Sequence, residues 1–130
     1  HALSRGWDRG LGPRALLACA PGELHDLGLV TFGLALRARG WRIGYLGADT
    51  PVESTTDAAR AFVPAFVVVS AVTPERFQDS DRDLRRFARR HKLGLGGAGA
   101  ADARIGGAVT LSGDAIAEAE HLTELVRARA

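Results

Sequence analysis

The run AFVVVSAV at residues 65–72 limits what this chain can fold into. Its centre is continuously β-branched instead of alternating, the pattern of a strand buried on both faces. Such a strand belongs in the middle of a parallel sheet with helices on either side. Four other short apolar runs, RALLACA (14–20), WRIGYLG (41–47), LGLGGAG (93–99) and AVTLSG (108–113), alternate with segments of helical character. Over Leu24–Ala38, the residues Leu24, Leu27, Val30 and Leu34 recur at helical spacing, with Phe32 and Leu36 on an adjoining stripe; Gly40 ends the helix. A second helix starts near Pro51, capped by Thr50 or Asp49, and fades at Val63-Pro64. Thr73-Pro74 opens a third that runs to about Arg90. A short helix is expected near Asp102–Ile105, and a last one over Asp114–Ala128.

Strict alternation with short loops predicts an α/β fold. The expected architecture is a doubly wound, flavodoxin-like (Rossmann-like) sheet of five parallel strands, order 2-1-3-4-5, with helices on both faces. A chain of 130 residues suits one core, placed at residues 14–130, with 1–13 read as a linker or tag remnant. The longest mostly apolar run has twelve residues and an internal proline, short of the roughly 18 of a membrane span. The N-terminus lacks the apolar core of a signal peptide. A net charge of +2 makes no case for nucleic-acid binding by the whole domain. The single cysteine, Cys19, lies in an apolar run and reads as a buried, inert thiol, which fits a cytoplasmic protein.

In open α/β sheets ligands bind beyond the carboxyl ends of the strands, where the strand order reverses. Three loops therefore matter: residues 20–25, 70–74 and 97–101. The first contains PGELHDLG, with Glu23, His25 and Asp26 crowded at a helix start. His25 is either an ordinary loop residue or a ligand imidazole whose second ring nitrogen is fixed by a carboxylate. A carboxylate here is also favoured by the helix dipole alone. One histidine cannot hold a bare ion, but it can give one axial ligand to a metal already enclosed in a macrocycle.

Other chemistries find no support. GLGGAG (94–99) matches G-x-G-x-x-G as text, but it lies at the fourth strand instead of the first, with no acidic residue at a later strand end. Glycines inside a strand still mark close approach by a ligand or another backbone. No phosphate loop, nucleophile elbow or C-x-x-C pair occurs. Arg82, Arg85, Arg86, Arg89 and Arg90 share one side of the third helix, as a solvated face or a contact for phosphates or an acidic partner. His1, His91 and His121 have no companions that make a site.

Glu23-x-His25-x-x-Gly28, Ser70-x-Val72 and Gly96-Gly97, each at a strand's carboxyl end, resemble the D/E-x-H-x-x-G, S-x-[LTV] and G-G elements of one family. It is the family of cobalamin (vitamin B12)-binding domains that hold the cofactor base-off with a histidine on cobalt. The resemblance covers residues 14–128. It implies that His25 is the lower cobalt ligand and that Glu23 hydrogen-bonds it. Gly28 would lie against the nucleotide tail, Ser70 would bond the tail and Val72 would pack near it. Gly96 and Gly97 would leave a slot for the benzimidazole. Asp26 and Leu27, inside the first motif, complete the candidate cofactor-binding set.

Leu29 stands where methyltransferase corrinoid carriers tend to have lysine, and HDLGLVTFGLALRARGWRIGYLGADTP is similar to the C-terminal domain of MerR-type transcriptional regulators. That branch implies a sensory domain without catalysis of its own, binding adenosylcobalamin or methylcobalamin and passing cofactor or light state to oligomerisation. DNA would be reached only through a separate domain, and a homo-oligomer is expected. The alternatives are a corrinoid carrier domain of a methyltransferase or mutase, or a degenerate domain that has lost the cofactor.

Overall fold

A computed structural model describes residues 5–128. Its strands are β1 (Arg14–Cys19), β2 (Arg42–Gly47), β3 (Phe66–Ser70), β4 (Leu93–Gly96) and β5 (Ala108–Leu111). Its helices are α1 (Leu27–Ala38), α2 (Val52–Phe62), α3 (Pro74–Gln78), α4 (Asp81–Ala88) and α5 (Ala115–Arg127). The strands form one parallel sheet in the order β2-β1-β3-β4-β5, as the alternation predicts.

Successive side chains of a strand point to opposite faces, and the core divides accordingly. Leu17 and Cys19 of β1 join Phe66 and Val68 of β3 beneath α1 and α5. Leu16 joins Val67, Val69, Leu93 and Leu95 beneath α2, α3 and α4. Every residue of β3 is buried, the environment its unbroken β-branched run calls for. Asp114 caps α5 by accepting from the Ala117 N–H at 2.9 Å.

Several boundaries differ from expectation. The first helix begins at Leu27, not Leu24, and its buried residues are Leu29, Val30, Phe32, Gly33 and Leu36. Leu24, Leu27 and Leu34 of the expected face are exposed. This helix is apolar nearly all round, so two stripes fit the spacing equally well. At Pro51 the helix has no side-chain cap: Thr50 donates to the Gly47 carbonyl at 3.0 Å, and Asp49 accepts from the Gly22 N–H at 2.7 Å. The helix expected over residues 73–90 is two helices, broken at Asp79-Ser80, two residues of low helix propensity. The helix expected near Asp102–Ile105 is a 3₁₀ segment at Ala98–Asp102.

The linker expected over residues 1–13 does not extend to Trp7. That ring is buried over Gly33 of α1, where any β-carbon would strike it, and meets Tyr45 edge-on with centroids 5.7 Å apart. Arg37 donates to the Trp7 and Arg9 carbonyls, and the Ile43 N–H bonds the Trp7 carbonyl at 2.7 Å. One aromatic among polar and glycine residues gives no periodicity, so the sequence hides this contact. His1 lies outside the described residues.

The five arginines Arg82, Arg85, Arg86, Arg89 and Arg90 are all exposed, with Leu84 and Phe87 buried behind them. Arg85 pairs with Asp81 at 2.8 Å, a surface contact of small energetic weight. No helix among the described residues is long and apolar enough to cross a membrane.

Candidate functional site

The three loops singled out above converge at the carboxyl edge of β1, β3 and β4. After β1 the chain turns tightly: the Glu23 N–H bonds the Ala20 carbonyl at 2.9 Å, and Asp49 N–H reaches the Glu23 carbonyl at 2.7 Å. These bonds tie the loop to the end of β2 and leave Glu23 almost fully buried, at 3% exposure.

A buried carboxylate is tolerated only when its lone pairs are occupied. Glu23 Oε1 accepts from the Val72 N–H at 2.7 Å, bridging the first loop to the second. Oε2 accepts from the His25 backbone N–H at 3.2 Å and lies 3.0 Å from His25 Nδ1. Burial raises the carboxyl pKa, but the hydrogen bonds from Val72 and His25 outweigh it and hold Glu23 below its usual 4.5. An ionised carboxylate can only accept, so Nδ1 donates in this contact, and in the neutral imidazole that leaves the lone pair on Nε2. The His25 side chain is 81% exposed. A buried acid thus orients an open imidazole with a free basic nitrogen.

Asp26 takes a different part. It occupies the cap position of α1 without capping it, and instead accepts from the Tyr45 hydroxyl at 2.8 Å. Burial, then the bond to Asp26, pushes that hydroxyl's pKa well above its ordinary value. This bond pins the residue next to His25 to the far edge of the sheet. Tyr45→Phe is expected to cost about 1 kcal/mol in urea unfolding while leaving the cofactor spectrum of the wild type intact. A changed spectrum would give Tyr45 a part in ligation. Cys19, beneath the loop, has its thiol pushed up to about 12 by burial, then by Asp26 and Glu23.

Beside this pair a cavity of about 180 Å³ opens at the same edge, lined among others by Gly28, Phe32, Ser70, Gly96 and Gly97. The glycines of β4 account for it. A β-carbon at Gly94 would strike Leu111 and Phe66, so that position is filled by neighbours. At Gly96 the nearest atom to such a carbon is Val68 Cγ1 at 3.3 Å, and the space beyond is the cavity. Gly28 has nothing within 4 Å of that position. Gly97 has φ +84° and a β-carbon there would strike the Ala71 carbonyl, so backbone geometry requires this glycine as well. Val72 and Leu27 do not line the cavity: Leu27 is exposed and Val72 is 46% exposed, its backbone N–H serving Glu23.

Two residues of the site carry no local sequence signal. Tyr45 has no motif to mark it. Glu118 of α5 lines the cavity on the same face of the sheet as α1, and only the topology brings α5 there. Among the described residues, no three His, Cys, Asp or Glu side chains cluster to hold a bare metal ion.

A family model described as B12 binding domain matches residues 13–127. The chain belongs to the B12-binding domain family. Its cofactor is cobalamin, and the site fits it: a cavity at the sheet edge, kept open at Gly28 and Gly96, lies beside an open imidazole. This B12-binding domain is 41% identical over 92 residues to the HTH-type transcriptional repressor CarA of Myxococcus xanthus, a match covering 68% of this chain and 32% of CarA. It is 34% identical over 118 residues to the repressor CarH of the same organism, covering 91% of this chain and 36% of CarH. The chain thus spans about a third of the length of these relatives.

Solved structures show the same fold. The methanol:cobalamin methyltransferase complex MtaBC of Methanosarcina barkeri superposes with a TM-score of 0.72 at 19% identity, covering 88% of this chain and 46% of that one. The monomethylamine corrinoid protein of the same organism gives 0.74 at 24% identity, covering 95% and 62%.

Proposed function

We propose that this B12-binding domain is the cobalamin-sensing unit of a MerR-type transcriptional regulator, holding its cofactor base-off with His25 as the lower cobalt ligand. The observation that carries this function is the 3.0 Å contact between buried Glu23 and His25 Nδ1, which leaves Nε2 basic on an exposed ring. Bound cobalamin would supply a cobalt ion with an axial position for that nitrogen and, in its alkyl forms, a light-sensitive cobalt–carbon bond. Leu24 and Val72, both exposed and both adjoining Glu23, would offer the cofactor apolar contacts beside His25. Ser70, Gly28, Gly96 and Gly97 would receive the displaced nucleotide tail.

Sequence identity to CarA and CarH supports the regulator over a corrinoid carrier. The likeness to methyltransferase corrinoid proteins supports the fold alone. As a sensor the domain performs no catalysis, and DNA is reached through other parts of the protein.

The experiment is to incubate the protein in the dark with adenosylcobalamin, desalt it, and record its visible spectrum and sizing profile before and after illumination. Retained cofactor and a light-dependent change of assembly are expected. Retention with no response to light, together with methyl transfer from bound methylcobalamin to an acceptor substrate in the presence of a partner methyltransferase, would favour the carrier instead.

A further inference from the structure

On the opposite face of the sheet from the cavity described above, a groove of about 560 Å³ runs between α2 and α4. That size is ordinary for a small-molecule site, and the buried Phe87 ring forms part of its wall. Both helices cross between parallel strands in the same sense, so their first turns share one end of the groove and their last turns the other. Glu53 and Asp83 line the first end. Arg60 and Arg86, with Arg90 and His91 just past α4, line the second.

Helix ends favour such charges without any ligand, acids at the start and bases at the finish. The magnitudes show that this does not use up the basic end. Two helix C-termini together amount to about one negative charge, and Asp57, 3.7 Å from Arg60, supplies one more. Three guanidiniums exceed both. Arg86 and Arg90 stand one turn apart and have no ion pair among the described residues, and like charges at that spacing repel. His91, which the sequence leaves without companions, stacks on Phe87 with centroids 4.5 Å apart. Burial, then the charges of Arg60 and Arg90, hold its pKa below the usual 6.5. The empty groove thus keeps an excess of positive charge that a bound anion would offset.

We infer that this groove binds a small phosphorylated metabolite, with its phosphate on Arg60, Arg86 and Arg90 and its other end toward Glu53 and Asp83. Guanidinium forks match phosphate oxygens bidentately, and the neutral His91 ring adds one N–H. The carboxylates can only accept, so the far end of the ligand carries hydroxyls or amines, as a sugar or a nucleoside does. A long polyanion suits the groove less well, because its continuing charge would run into Glu53 and Asp83. The site is independent of the one proposed for cobalamin.

The test titrates the protein calorimetrically with ribose 5-phosphate, ADP and heparin. Two double variants are compared with wild type: Arg86→Ala with Arg90→Ala, and Arg82→Ala with Arg89→Ala. The second pair removes the same charge from the same stretch of chain, but from exposed arginines outside the groove. All four side chains are exposed, so both variants should fold. Saturable binding of ribose 5-phosphate or ADP is expected, about tenfold or more weaker in the first variant and little changed in the second. Equal affinity for the two ligands would identify a sugar phosphate as sufficient; tighter ADP would identify a nucleotide. No saturable binding of either at millimolar concentration, equal losses in the two variants, or binding of heparin alone would overturn the inference and leave the arginines as a charged face.

Discussion

His25→Ala is expected to remove the protein's nitrogen from bound cobalamin, with a changed visible spectrum after desalting and an affinity at least about tenfold lower, roughly 1.4 kcal/mol. The fold should survive, because the side chain is 81% exposed and its one described polar contact is with Glu23. Glu23 keeps two partners in the variant, since the His25 and Val72 N–H groups belong to the backbone. Far-ultraviolet circular dichroism and the urea midpoint should therefore stay close to wild type. Added imidazole should restore the wild-type spectrum by entering the vacated position. Identical spectra for variant and wild type, at equal cofactor content, would remove His25 from the cobalt.

Glu23→Ala should act on both the fold and the ligand. Two backbone N–H groups lose a charged acceptor; at about 1.5 kcal/mol each, the loss is about 3 kcal/mol in urea unfolding. With its orienting carboxylate gone, the imidazole is free to turn and its basicity falls, which typically weakens metal binding about 10–100-fold. The pH dependence separates charge from shape. Because the folded-state pKa of Glu23 lies below 4.5, its contribution is fully present above that value and is lost as pH falls through the lower folded value. Glu23→Gln has no such charge to titrate, so its stability should depend less on pH in that acid range. Parallel acid limbs for wild type and Glu23→Gln would show that the carboxylate's charge is not what the loop uses.

The unbroken run ending at Ser70 put β3 at the centre of the sheet, and from that strand the order, the edge and the three loops followed. The placement of Glu23, His25, Ser70 and Gly96 at one edge was legible because they stand at or just after the carboxyl ends of strands, where an open parallel sheet takes its ligand. The face of α1 was not legible, because Leu24, Leu27 and Leu34 look as apolar as the stripe that is buried. The buried stripe packs against the sheet and α5 and includes Gly33, over which Trp7 is seated, a contact between distant residues with no local signature. Tyr45 and Asp26, nineteen residues apart, meet only once β2 lies beside β1. Glu118 was hidden for the same reason: on a helix it reads as an ordinary surface acid, and only the return of α5 over the sheet buries it.

The central claim is that the nitrogen on cobalt belongs to His25, and nuclear spin can show whose nitrogen it is. The measurement is the electron paramagnetic resonance spectrum of cob(II)alamin bound to protein whose histidines carry ¹⁵N. Doublet superhyperfine splitting from the labelled imidazole is expected, with the doublet absent in His25→Ala. Triplet splitting in the labelled protein would mean that the cofactor's own ¹⁴N benzimidazole still holds the cobalt, and would contradict it.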